Sequence, residues 1–414
     1  MNKIDKVVLD NGLTIYFYVD KKRHSVFFQH ITKYGGISKD FICDGKEYHL
    51  QDGIAHILEH YIVEENKYGN FLKLLGEKQM STNASTHLDM TRFYFNAIEN
   101  VEFGVKTLLK GIYSPLFSEA RLEKMKGPIF QELRGRSDSK FYHAANSIYK
   151  NLFNNSTFMN IGGSLEDVKN TTLDELKLCY EAFYQPSNQL IVVGGNFDKD
   201  EMLNLIKDFY DSIDIPEHDV KLIEMNEDDK VRNSYEEILF PTGQEYVEIA
   251  YKFNLSKYSP EQQLKTDFYL AYFYKMFFGL TSPLYNKLVN NKIITGGIGS
   301  NLAKFRNYMI LSFGSHTDDP DTFIEEIKNT IMEMKDFNEE LFELDKRQTI
   351  LDLILREENI SNMVMPFVAN IVSYNYCYPD SVEQVEKYNY DDFVKTIKEL
   401  DFSNYTVIKI KNKE

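Results

Sequence analysis

Tryptophan is missing from this chain of 414 residues, cysteine occurs three times, and no apolar run is long enough to span a bilayer. Without Trp, the large core positions fall to 30 Phe and 28 Tyr. Cys43, Cys179 and Cys377 lie far apart with no CxxC spacing, which excludes a disulfide framework and a cysteine zinc knuckle and leaves reduced thiols. Basic residues are scarce: 47 Lys and Arg stand against 63 Asp and Glu, a net charge of −16. A nucleic-acid partner needs a basic footprint, so none is expected, and the acidity reads first as a solubility device. The first ten residues carry no apolar h-region; no signal peptide and no membrane segment is read, and the expected compartment is the cytoplasm.

What is present is an ordinary globular mixture, 43% hydrophobic and 27% charged, over a length that favours two domains. The opening VVLDNGLTIYFYV holds two strand-like runs around Asn11-Gly12, a dipeptide suited to a tight hairpin. Strand patterns follow at SVFFQHITKYGG, which ends on glycines, at Met90–Ala97 and at QLIVVGG, and helical spacing at Ile54–Glu65, Val101–Tyr113 and Asp174–Phe183. A helix led by Ser118 runs towards Arg136, with an interruption at Gly127-Pro128. The stretch from Pro216 to Asn233 is acidic, polar and without period, and reads as a linker. Beyond it the order of elements repeats: EYVEIAYKF and YMILSFGSH with helices over Gln262–Phe278, Asp321–Lys335 and Glu339–Glu357, then a closing YTVIKIK. The expectation is an α+β chain of two similar domains, residues 1–215 and 216–414.

The chemistry concentrates in His56-Ile57-Leu58-Glu59-His60. Four residues apart on a helix, the two imidazoles project from one face and can reach one metal ion. Glu59 sits beside the second of them, placed to take a proton from water at that ion. This is the mirror order of H-E-x-x-H. A catalytic zinc needs three protein ligands, and the third is a distant side chain. Glu132 in PIFQELRGR, next to the apolar pair Ile129 and Phe130, is the best candidate, though residue chemistry alone leaves it an ordinary helical carboxylate. The other histidines (His24, His30, His49, His87, His143, His218, His316) have no ligand-like spacing and read as structural or surface groups.

The segments GIAHILEH, STNASTHLDMTRFYF, KGPIFQEL and FYQPSNQLIVVGG, with LDNGLTIYFY and SPLYNKLVNN, together resemble the pitrilysin/insulysin family of zinc peptidases, and within it the short, two-domain, processing-peptidase-like members. The resemblance is strongest over the first 198 residues. It implies two domains, each an antiparallel-rich sheet covered by helices on one side, and one zinc ion per chain held by His56, His60 and Glu132 with Glu59 as base. It also implies that Asn83 and Ala84 lie on an edge strand that binds extended peptides, so that the chain is an endopeptidase acting on peptides or flexible segments. Two positions depart from the family pattern near the metal: Met125 stands where a carboxylate usually supports the site, and Pro128 precedes Glu132 by one turn. A third departure lies in the second half, where the family's Arg and Tyr facing the substrate match Val289 and Gly296. The resemblance then implies a heterodimer whose homologous partner supplies Arg and Tyr, with a homodimer as the alternative. A non-catalytic scaffold of the same fold is the rival reading, and a small-molecule hydrolase a third.

Overall fold

A computed structural model of the chain describes residues 4–64, 66–154, 161–223, 227–378 and 381–413. They form two compact units, each built from three stretches of chain. The first comprises Met1–Arg136, Thr157–Met225 and Arg356–Val372; the second comprises Ser137–Ser156, Asn226–Leu355 and Ser373–Glu414.

In the first unit a six-stranded sheet runs in the spatial order Asp5–Val8, Thr14–Val19, Gln189–Gly195, Val26–Thr32, Thr91–Ala97, Ser81–Thr86. Only Thr14–Val19 and Gln189–Gly195 pair in parallel. The hairpin expected at Asn11-Gly12 forms, with Gly12 at φ +82°, a conformation glycine adopts without cost. Gln189–Gly195 and Val26–Thr32 are buried throughout, which is why QLIVVGG and VFFQHIT read as continuous rather than alternating patterns. One sheet face, with Ile15, Phe17, Phe28, Phe93 and Phe95, packs on helices Ile54–Glu64, Val101–Ile112 and Leu173–Phe183. The opposite face, with Tyr18, Phe27, Ile31 and Val192, is covered by Ile360, Val364 and Val368 of helix Ile360–Tyr374.

The second unit has a five-stranded sheet in the order Tyr235–Phe240, Tyr405–Asn412, Tyr246–Asn254, Tyr308–His316, Gly299–Phe305, again with one parallel pair, the first. Leaving out the N-terminal hairpin strand of the first unit, both sheets place their five strands in the order first, fifth, second, fourth, third. The duplication expected from element order is therefore a duplication of topology. Aromatic rings replace the missing Trp in the second core: Phe273, Phe278, Phe313, Phe342 and Phe393 are all fully buried. Lys252 alternates with Tyr251 and so points to the other face of the sheet. There its ammonium lies 4.5 Å from the Phe153 ring and donates to the Leu152 carbonyl at 2.9 Å, at the end of helix Lys140–Leu152. Each unit's sheet is thus backed by a helix whose sequence neighbours belong to the other unit.

Two expectations are corrected. The helix Glu119–Ser137 continues through Gly127 and Pro128 without interruption. Pro removes one hydrogen bond, and the burial of Leu122, Met125, Ile129 and Leu133 along one side holds the turns on either side of it together. Part of the supposed linker is also structured: Val220–Leu222 pairs antiparallel with Asp40–Cys43, in a small sheet completed by Lys46–His49. Three residues of backbone pairing need no side-chain period, so the pattern could not announce them. Residues 224–226 of that stretch lie outside the described residues. Among the described residues, no helix is long and apolar enough to cross a membrane.

Candidate metal centre

The motif helix Ile54–Glu64 is buried along most of its length, with Ile54, Ile57, Leu58, Tyr61 and Ile62 in the core of the first unit. Its start depends on Gly53, at φ +79°: a Cβ there would lie 2.5 Å from backbone atoms of Gly162 and Gly163. A second chain segment therefore packs directly on the first turn of the helix, beneath His56.

His56 and His60 bring their Nε2 atoms to 3.2 Å of each other. The Glu132 carboxylate approaches from helix Glu119–Ser137, with Oε1 3.8 Å from His56 Nε2 and Oε2 3.5 Å from His60 Nε2. Donors around a tetrahedral zinc ion, bound at about 2.0–2.1 Å, stand roughly 3.3 Å apart, so the three groups have the spacing such an ion requires. Burial, reinforced by the charge of Arg136, pushes the His56 imidazole down to about 3. His60 is also lowered, mainly by burial and against the opposing pull of Glu132. Both shifts disfavour the protonated form, which cannot ligate. The donor set of two imidazoles and a carboxylate suits zinc. Arg136, one turn beyond Glu132, donates a hydrogen bond to Glu132 Oε1.

Glu59 is 8% exposed and accepts a hydrogen bond of 2.8 Å from the Thr86 hydroxyl. Burial raises its carboxyl to about 7, with the Thr86 bond pulling the other way and the Glu132 charge adding to the rise. Thr86 ends the strand Ser81–Thr86, which is the edge of the six-stranded sheet. By strand alternation Ala84 and Thr86 share a face, and Ala84 packs partly against the same core as the motif helix. Asn83 is exposed on the edge, and its Oδ1 accepts the Ala84 N–H at 2.9 Å. Asn83 and Ala84 therefore lie on an open strand edge that Thr86 ties to Glu59.

Met125 is buried in the core, and Pro128 lies inside the Glu132 helix. Among the described residues His56 Nδ1 has no hydrogen-bond partner. In the second unit Val289 lies on helix Pro283–Asn290, and Gly296 is exposed in the loop that precedes the edge strand Gly299–Phe305. Sequence reasoning did not single out Thr86, Arg136 or the Gly162-Gly163 contact. Arg136 could have been found as the i+4 neighbour of Glu132; the other two carry no local signal. A surface groove of the first unit, edged by Lys106, Lys110, Glu201 and Asp208, includes none of the centre's residues. A ligand that binds as an added strand needs an edge rather than a pocket.

Residues 170–349 match the family model described as Peptidase M16 inactive domain, a span that excludes His56, Glu59, His60 and Glu132. The uncharacterized zinc protease YmfH of Bacillus subtilis is 27% identical over 334 residues, covering 78% of this chain and 76% of that protein. YmxG of Helicobacter pylori, named a non-peptidase homolog, is 26% identical over 178 residues, which is 42% of this chain and 40% of that one. The crystal structure of an M16-like peptidase from Alicyclobacillus acidocaldarius superposes with a TM-score of 0.91 at 22% identity, over 99% of this chain and 98% of that one.

Proposed function

This chain belongs to the pitrilysin (M16) peptidase family, and on that footing we propose that it is a zinc-dependent endopeptidase. The observation that carries the reading is the convergence of two imidazoles and a carboxylate at 3.2–3.8 Å, beside a buried carboxylate tied to an open strand edge. His56, His60 and Glu132 would hold one zinc ion, which when bound supplies a Lewis acid that polarises a carbonyl and acidifies water. The chain's own residues do the rest. An extended peptide adds to the strand Ser81–Thr86 through backbone hydrogen bonds, and the small side chain of Ala84 lets the two backbones approach. Asn83 Oδ1 gives up the Ala84 N–H to the incoming strand. Glu59 accepts the proton of the attacking water and returns it to the leaving amide nitrogen. Thr86 holds Glu59 in register with the peptide, since its hydroxyl and the edge share one strand.

The rival reading is a non-catalytic binding subunit. A buried Met125 where the family pattern has a supporting carboxylate favours it, as does the similarity to a protein named a non-peptidase homolog. Metal content separates the two. Elemental analysis should find one equivalent of zinc fewer in His60→Ala than in wild type; equal content would remove the assignment.

A further inference from the structure

We propose a second metal site, for a zinc-like divalent ion, formed by Cys43 Sγ, Asp44 Oδ2 and His218 Nδ1 of the first unit. These donors lie within 4.8 Å of one another, with His218 Nδ1 2.7 Å and Cys43 Sγ 3.9 Å from Asp44 Oδ2. Thiolate, imidazole and carboxylate on one side of an ion, with a water on the other, is a donor set that zinc accepts and that magnesium or calcium does not favour.

Backbone bonds hold the donors in place independently of the side-chain contacts. Asp44 and Gly45, at φ +50° and +80°, form the two-residue turn between strands Asp40–Cys43 and Lys46–His49. Cys43 is in register with Val220, two residues after His218. The main chain of His218 is gripped at both ends by one side chain: its N–H donates to Gln185 Oε1 at 2.7 Å, and its carbonyl accepts from Gln185 Nε2 at 3.0 Å. Asp44 and Asp219 exchange a further pair of bonds, Asp44 N–H to the Asp219 carbonyl and Asp219 N–H to Asp44 Oδ1, both 3.0 Å. Spreading Nδ1 and Oδ2 towards the roughly 3.3 Å of a tetrahedral edge asks for side-chain rotation only. Cys43 is buried while Asp44 is exposed, so the site opens to solvent on its carboxylate side.

The surrounding charge also suits a cation. Burial first, then the negative charges of Asp44, Asp219 and Glu181, raise the Cys43 thiol. The environment disfavours a bare thiolate, and a divalent ion reverses that preference. On binding, Cys43 gives its S–H proton to water, and His218 moves its ring proton from Nδ1 to Nε2 so that the Nδ1 lone pair faces the ion. Asp44 exchanges an accepted hydrogen bond for a metal bond. One proton is released per ion. The ion would clamp the segment that leaves the first unit's main sequence stretch onto the hairpin it already pairs with. The long separation of Cys43 and His218 in the chain is why the sequence reads them as a reduced thiol and a structural or surface histidine.

Cobalt(II) titration of the purified chain tests the site, because a thiolate ligand gives a charge-transfer band in the near ultraviolet. The centre at His56, His60 and Glu132 has only nitrogen and oxygen donors and gives none. The expected result is a thiolate band that saturates at one equivalent, vanishes in Cys43→Ser and persists in Cys377→Ser and in His60→Ala. His218→Gln, at a half-buried surface position, should weaken cobalt binding by about 10-fold or more, as loss of a ligand costs at least what loss of a supporting group does. Absence of the band in wild type, its survival in Cys43→Ser, or unchanged affinity in His218→Gln would overturn the proposal and leave a hydrogen-bonded turn.

Discussion

At the scale of single residues, the centre depends on burial as much as on donor identity. A solvated Glu next to two His would be an ordinary helix surface. Here the core beneath the motif helix dehydrates Glu59, and Thr86 supplies a hydroxyl hydrogen bond that fixes its direction. Glu59→Gln should therefore keep the fold and the metal and lose hydrolysis of a flexible peptide by about 10²–10⁴-fold. Wild-type cleavage rates from a metal-loaded Glu59→Gln protein would show that another group is the base. Away from the centre, His30 illustrates the same physics as a stability effect. It is fully buried beside the Tyr210 hydroxyl at 3.2 Å, and burial lowers its imidazole to about 4. A depressed folded-state value means that its contribution is intact above the ordinary value near 6.5 and is lost as pH falls through about 4. Between pH 7 and pH 4 the loss amounts to about 3 kcal/mol. Urea unfolding at the two pH values should show wild type losing more stability than His30→Gln by roughly that amount, the titration of the carboxylates being common to both.

At the scale of elements, the surprise is continuity. Helix Glu119–Ser137 carries Glu132 and Arg136 on successive turns although Pro128 interrupts its hydrogen bonding. Interior Pro costs a helix about 3 kcal/mol, and part of that is returned by the stiffer unfolded chain. Pro128→Ala should raise thermal stability, by about 1–2 kcal/mol, and leave metal content unchanged. A destabilised Pro128→Ala protein would mean that the helix is bent to fit its Pro and that the Glu132 position relies on the bend. The edge strand Ser81–Thr86 shows the opposite relation of pattern to structure. STNAST has neither apolar alternation nor β-branched runs, and a turn reads as well as a strand from composition; pairing with the strongly patterned TRFYFNA settles it.

At the scale of the whole molecule, two units share one strand order, and one of them carries the proposed metal-ligating set. The resemblance implies that Val289 and Gly296 of the second unit stand in for an Arg and a Tyr, and neither can donate a side-chain hydrogen bond to a developing oxyanion. Such a donor is worth roughly 3–4 kcal/mol, which is the physical ground for expecting a homologous partner chain that supplies it. Peptidase activity of this chain alone should be low, and should rise by about 10²–10³-fold on adding a homologue that lacks HxxEH and keeps the Arg and Tyr. Full activity from the isolated chain, unchanged by that addition, would show that one chain suffices or pairs with itself.

The sequence by itself determined what is local or periodic. Helical spacing put His56, Glu59 and His60 on one short helix, alternation and apolar runs marked most strands within a residue or two, and element order disclosed the duplication. Residue chemistry offered Glu132 as a candidate and only the resemblance to a family pattern singled it out, because a helical carboxylate has no spacing that ties it to a histidine 72 positions earlier. Tertiary structure decided the rest: that Glu132 meets the histidines, that Thr86 reaches Glu59, that Gly53 admits the Gly162-Gly163 backbone, and that Val220–Leu222 joins a sheet. It also decided which sheet each crossing helix covers, since Lys140–Leu152 and Ile360–Tyr374 both join the unit opposite to their sequence neighbours. The reason is common to all of these. Periodicity reports which face of an element is apolar, and burial is satisfied by any complementary surface, so the choice of partner is made only when the whole chain competes for its cores.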